Sequence, residues 1–286
     1  MTSALTIRAM MPAEVSICRF WAASEQWNPG RHDPDVYLSI DPAGFFVGLV
    51  NEDPVAIISA VKYSPDFAFI GHYIVKPGHR GKGYGLAIWK RAMQHVSDCS
   101  VIGLDGVPAQ QANYAKSNFK HAHNNFRFEG VGGRALTPPP DPCVVPLSQI
   151  PAEELNAYDR RAFPAARVAF LALWTTREGT AALAYIRNGR LAGYGVVRES
   201  ESGHRIGPLF ADGDDVAEAL LRALLSSAAE GAPVFIDVPD AHAGAMALVK
   251  KLGMSAGFET ARMYAGAGPP DIDLNCVYGV SSLEMG

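Results

Sequence analysis

Ile74-Val75-Lys76-Pro77-Gly78-His79-Arg80-Gly81-Lys82-Gly83-Tyr84-Gly85 joins an apolar, β-branched run to an amphipathic one. Upstream, residues 67–75 read as a strand. Downstream, Leu86, Trp89, Met93 and Val96 recur at three- and four-residue steps while Lys90 and Arg91 fall on another face, which predicts a helix. Gly81, Gly83 and Gly85 alternate through the junction. Glycine adopts left-handed backbone conformations and lets the main chain approach a ligand, and successive N–H groups at a helix start face anion oxygens. Arg80 and Lys82 add local positive charge, so the junction predicts a cradle for phosphate. A plain turn with two solvated cations would need fewer glycines.

Working outward, residues 4–8 read as a short strand, and Pro12 suits the first turn of a helix over 13–23. Residues 45–50 and 54–63 flank Asn51-Glu52-Asp53 as a hairpin, so this part of the sheet is antiparallel. Residues 101–104 follow as a buried strand, 110–117 as a helix and 121–129 as a closing strand.

The 286-residue chain is long enough for two domains. With 48% hydrophobic and 19% charged residues it is a globular protein rather than a disordered one. Its net charge of −4 leaves no general field for nucleic acid or anionic lipid, so an anion site must be local. The start lacks the basic and apolar runs of a signal peptide, and no stretch approaches a membrane span, which predicts a cytoplasmic protein. Cys18, Cys99, Cys143 and Cys276 are scattered and form no CxxC, which predicts reduced thiols and no metal knuckle. His121 and His123 share a strand face but lack a third ligand, so no metal is expected.

A P-loop would need Gly-Lys-Ser/Thr, which is absent here. A Rossmann site is the alternative, because Asp105 stands 20 residues beyond Gly85. Against it, Leu86 stands where the third glycine of that motif belongs, and the strands before the loop form a meander. The pattern Arg80-x-x-Gly83-x-Gly85 resembles the pyrophosphate-binding motif of the GNAT superfamily of acetyl-CoA-dependent N-acetyltransferases. Tyr114-Ala115-Lys116-Ser117-Asn118-Phe119 is similar to that superfamily's later Tyr-x-x-x-Gly-Phe segment. Asn118 replaces its glycine, a mild change because asparagine also tolerates the left-handed conformation that ends helices. Trp21-Ala22-Ala23-Ser24-Glu25-Gln26-Trp27-Asn28-Pro29-Gly30 and Gly103-Leu104-Asp105-Gly106-Val107 resemble a bacterial and animal subgroup with a second, divergent GNAT-like domain.

The resemblance implies an α/β (α+β) fold of two tandem GNAT-like domains, each a mixed, largely antiparallel sheet flanked by helices. It implies an N-acetyltransferase that moves acetyl from acetyl-CoA to a primary amine of a small molecule by direct attack in a ternary complex. Backbone N–H groups of Arg80, Gly81, Lys82, Gly83, Tyr84 and Gly85 would bind the pyrophosphate. Tyr73, Ile74, Val75 and Lys76 would run beside pantetheine and aim an N–H at the thioester oxygen. Tyr114 would lie by the sulfur and protonate the departing thiolate.

For the general base, Phe67, Phe69 and Gly71 share one face of their strand and accept no proton, while alternation turns His72 to the other face. Asp105 and Glu25 are the candidates, or an ordered water. Trp21, Trp27, Phe67, Phe69 and Gly71 would line the acceptor pocket, the aromatic ones as an apolar wall or as plain core. Without a strand base, a non-catalytic acetyl-CoA sensor is the alternative to an enzyme.

Gly130-Val131-Gly132-Gly133 and Thr137-Pro138-Pro139-Pro140-Asp141-Pro142 mark the sharpest break. They divide the chain into a catalytic domain (1–136), a Pro-rich linker (137–142) and a second domain (143–286). The second domain repeats the order: a helix at 152–160, strands at 181–186 and 191–198 around Arg187-Asn188-Gly189, a strand at 205–210, then helix, strand (234–238) and helix (243–252). An offset of 134 turns Arg80, Gly83 and Gly85 into Asp214, Ala217 and Ala219, and an offset of 135 turns Tyr114 into Val249. The expected second domain is therefore degenerate, supporting the first or shaping its acceptor pocket.

Overall fold

The structure, a computed structural model, describes residues 4–133 and 141–286. The expected Pro-rich linker falls mostly on residues 134–140, outside the described residues. The first half runs β1 (Thr6–Ala9), α1 (Ser16–Ser24), α2 (Asp33–Ile40), β2 (Phe45–Val50), β3 (Asp53–Ser64), β4 (Phe67–Val75), α3 (Tyr84–His95), β5 (Val101–Gly106), α4 (Gln111–Ala115) and β6 (Lys120–Val131). The second half repeats it as β7 (Val144–Pro146), α5 (Ala152–Ala162), α6 (Val168–Trp174), β8 (Thr180–Arg187), β9 (Arg190–Glu199), β10 (His204–Ala211), α7 (Asp214–Ser227), β11 (Pro233–Pro239), α8 (Ala243–Lys251) and β12 (Ser255–Gly266). A short β13 (Val277–Gly279) and a buried terminal segment follow.

The fold is a mixed α/β one around a mostly antiparallel sheet. Parallel pairing occurs between β4 and β5 and between β10 and β11. The turns are where the sequence places them: Asn51 and Glu52 at φ 50° and 65° close the first hairpin, and Asn188 and Gly189 at 53° and 75° close the second. Asn118 and Gly253 end α4 and α8 at φ 64° and 74°, and the N–H groups of Phe119 and Met254 reach back to Tyr114 and Val249. The duplication thus extends to the helix-ending residues.

Three features depart from the periodicity. Helices α2 and α6 are short and follow Pro-containing or Arg-containing loops, which hides their pattern. The strand alternation expected around His72 is broken by a bulge: Ile74 pairs with Ile57 but Gly71 with Ser59, and His72 takes φ 47°. His72 is buried and lies beside Gly71 along the cavity instead of on the opposite face. Finally, the two halves exchange their last strands. The order β4-β5-β12-β6-β11-β10 puts β12 of the second half against β5, and β6 of the first half against β11.

Candidate active site

Parallel pairing of β4 with β5 stops at Ile70 and Leu104, so the strands splay beyond that point. The gap opens into a cavity of about 420 Å³. Residues 70–75 of β4 line one side, Leu104, Asp105 and Val107 another, and Arg80, Gly81, Gly83 and Gly85 the mouth.

The glycines of the mouth serve two purposes. Gly78, Gly81 and Gly83 take φ of 71°, 77° and 84°, a conformation that favours glycine. Gly85 is needed for space, since a Cβ there would lie 2.8 Å from the Tyr73 hydroxyl. The N–H groups of Arg80, Gly81, Lys82 and Gly83 donate to no protein acceptor among the described residues. Arg80 Nε holds the Val75 carbonyl at 2.8 Å and its guanidinium meets the Glu25 carboxylate. Lys76, Lys82 and Tyr84 are outside the lining.

Tyr114 reaches the cavity from α4, its ring 5.5 Å from Trp89 and 6.5 Å from Phe119. A Cβ on Gly106 would sit 2.4 Å from that ring, so the bare glycine makes its place. Burial, with Tyr73 nearby, pushes the Tyr114 phenol up, so it keeps its proton at neutral pH.

Asp105 lines the cavity, yet both its oxygens are engaged. Arg262 Nε and Nη2 donate at 2.8 and 2.7 Å, and Asn125 Nδ2 at 2.9 Å. Burial pushes its carboxyl up while Arg262 pulls against it. Glu25 also lines the cavity, in its pair with Arg80. Of the expected wall, Trp27 and Gly71 line the cavity. Trp21 instead packs on the main core with Lys76 Nζ 5.7 Å from its ring. Phe67 and Phe69 are buried in a separate cluster with Phe163, Ala165 and Tyr264, which takes them out of the lining.

Sequence reasoning missed four lining residues from the second half: Phe258 and Thr260 on β12, and Leu283 and Glu284 in the terminal segment. It also missed His72, because a bulge leaves no mark in the alternation. The His72 ring nitrogen Nδ1 lies 3.2 Å from Ser59 Oγ, and burial lowers its pKa. Among the described residues, no group of three or more His, Cys, Asp or Glu is placed to hold a metal, and no helix is long and apolar enough to cross a membrane.

In the second half β13 fills the corresponding gap between strands, and an open depression bordered by Asp212, Asp214 and Tyr278 remains at the loop. Pairing of β10 with β11 stops at Ile206, and β13 pairs with β10 at Leu209 and Phe210 while Val280 N–H bonds Asp237 O at 3.0 Å. Only Asp212 and Gly213 separate β10 from α7, so a constant offset does not carry through this loop. Asp212 accepts from Tyr158 and Arg161, and Asp214 from Tyr278.

Models of the acetyltransferase (GNAT) family and the acetyltransferase (GNAT) domain match residues 12–119 and 155–279 respectively. A holothin acyltransferase from Pseudoalteromonas sp. (strain SANK 73390) is 33% identical over 96% of this chain and 92% of its own length. The chain belongs to the GNAT acetyltransferases. It is a tandem GNAT protein and an acyltransferase, which sets aside the dinucleotide-binding and sensor alternatives. A Pyrococcus horikoshii protein described as a candidate acetyltransferase shares the GNAT fold with a TM-score of 0.84 at 22% identity, over 99% of this chain and 96% of its own. A GCN5-related N-acetyltransferase from Sphaerobacter thermophilus follows with a TM-score of 0.65 at 14% identity, over 94% and 98%.

Proposed function

We propose that this GNAT acyltransferase takes acetyl from acetyl-CoA and delivers it to a primary amine of a small molecule in the cytoplasm. The observation that carries the proposal is the continuous path from free N–H groups at Arg80 to Gly83, along the splayed edge of β4, to the protonated phenol of Tyr114. The residues fit the coenzyme: the backbone N–H groups of Arg80 to Gly83 suit a pyrophosphate, and residues 73–75 line the path toward Tyr114. Acetyl-CoA supplies a thioester-activated acetyl group. The amine nitrogen forms a bond to the acetyl carbon as the carbon–sulfur bond breaks; the nitrogen loses one proton and the sulfur gains one. Tyr114 holds the proton that the sulfur takes. For the proton from nitrogen, Asp105 is held by Arg262 and Asn125 and Glu25 is paired with Arg80 through one oxygen, so each is a weaker base than a free carboxylate, which favours relay through a water.

The name of the holothin acyltransferase supports a discrete compound as acceptor. In this reading residues 1–136 carry the catalytic cradle, and 143–286 form a degenerate GNAT-like domain that supports it and shapes the acceptor end. Thiol release from acetyl-CoA with a broad amine panel tests the function. Tyr114→Phe should lower turnover by about 10² to 10⁴-fold while leaving acetyl-CoA affinity nearly unchanged. Full turnover at every pH would make Tyr114 a packing residue.

A further inference from the structure

The acceptor end of the cleft is built largely by the second half. Phe258, Thr260, Leu283 and Glu284 join Trp27 and Gly71 there. The terminal segment is fixed firmly: a Cβ on Gly71 would lie 2.1 Å from the Glu284 carbonyl oxygen, and the Tyr63 hydroxyl donates to Met285 O at 3.1 Å.

Charge on this lining is balanced side chain by side chain. Glu25 pairs with Arg80, and Asp105 with Arg262 through two hydrogen bonds. Glu284 Oε1 lies 3.5 Å from Arg205 Nη1, and Ser282 Oγ donates to its other oxygen. Arg205 also meets Asp237, which Arg127 grips through both its oxygens. Burial pushes the Glu284 carboxyl up, but Arg205 and the Ser282 hydroxyl pull it below its ordinary value and keep the group ionised. His72 faces Glu284 and Asp33, the latter held by Arg198, and burial keeps the imidazole neutral near pH 7. The phenols of Tyr73 and Tyr114 stay protonated.

Among the described residues every lining carboxylate is therefore already paired with an arginine, and none is left over for a cation. An alkylammonium entering here would lose its hydration without gaining a counter-ion. An amine bonded directly to an aromatic ring is uncharged at neutral pH, and its flat face suits the rings of Trp27 and Phe258. The Thr260 hydroxyl, buried without a partner among the described residues, offers a hydrogen bond.

We infer that the acceptor is a weakly basic amine attached directly to a planar ring, admitted uncharged to a pocket walled by β12 and the terminal segment. This rests on the acetyl-transfer reading above. Its nitrogen attacks without first shedding a proton; one leaves as the carbon–sulfur bond breaks.

The test is thiol release from acetyl-CoA by the full chain with matched amines: aniline against benzylamine, and 2-aminothiazole against 2-(aminomethyl)thiazole. The ring-attached amines should show at least tenfold higher kcat/KM at pH 7. The methylene-spaced ones should gain about tenfold per pH unit as their free base grows. Faster turnover of the methylene-spaced amines at pH 7, or a flat profile for them, would overturn the inference. Phe258→Glu, which adds an unpaired carboxylate at a half-buried position, should narrow the preference at least tenfold. An unchanged ratio in a folded variant would also overturn it. If the variant loses its unfolding transition, the unmodified chain decides alone. Acetyl-CoA binding by calorimetry with transfer to no amine would defeat the acetyl-transfer reading itself, a different failure.

Discussion

At Gly83 the φ of 84° and the unpaired N–H serve the same end, because the backbone turn that frees the donor is one that side chains resist. Gly83→Asp should strain that turn and place a carboxylate in a phosphate cradle. Losing two charge-assisted bonds of roughly 1.5 to 3 kcal/mol each would weaken acetyl-CoA binding by several kcal/mol. Unchanged affinity by calorimetry would refute the cradle. His123 gives a prediction in pH. Burial, helped by Arg262 and His121 and opposed by Asp240, lowers it to about 4. An unfolded histidine titrates near ~6.5, so between about 6.5 and 4 the unfolded chain binds the extra proton and stability falls as pH falls. The loss should approach about 3 kcal/mol and level off below pH 4. Denaturant titrations across that range should show the slope, and His123→Gln should reduce it, His72 with its likewise lowered pKa supplying part of what remains; identical slopes would rule this histidine out.

Among the elements, β4 does most to make the site. Its bulge turns Gly71, His72 and Tyr73 toward the cavity together, and its divergence from β5 after Ile70 opens the gap. In the second half β10 diverges from β11 after Ile206 in the same way, but β13 fills the space and the loop to α7 is two residues long. Carboxylates of Asp214 and Asp215 stand in the first turn of α7, where they suit the helix dipole and would repel a phosphate. Titration with acetyl-CoA should therefore give one site per chain. Two sites would mean that β13 moves aside.

The exchange of last strands governs the whole molecule. Strand β12 covers β5 and delivers Arg262 to Asp105, while β6 crosses to β11 and delivers Arg127 to Asp237. A chain ending at residue 136 would lose β12 from beside β5 and leave Arg127 buried without its partner, the costly way to break such a pair. The fragment should aggregate or unfold well below the melting temperature of the full chain. Thermal melts and sizing of the fragment check this. A fragment as stable and active as the whole would remove the supporting role given to residues 143–286.

The linear sequence determined what depends on neighbours along the chain. Hairpin turns at Asn51 and Asn188, the glycine run before α3 and the ends of α4 and α8 follow from local backbone preference, and apolar spacing marked α3, although its buried face is Ile88, Trp89 and Ala92 and leaves Leu86 exposed. The duplication was legible for the same reason. What lines the cavity was decided in three dimensions. Phe67 and Phe69 alternate correctly yet face Phe163 and Tyr264, which only tertiary packing brings there. Asp105 and Glu25 sit at the cavity as expected, but their arginine partners come from 157 and 55 residues away along the chain, and no spacing rule reaches that far. Glu284 enters the site because β13 and the terminal segment run from the filled gap of one half to the open cleft of the other. Strand pairing is set by which edges meet once the halves fold together, and that choice put Phe258, Thr260, Leu283 and Glu284 in the cavity wall.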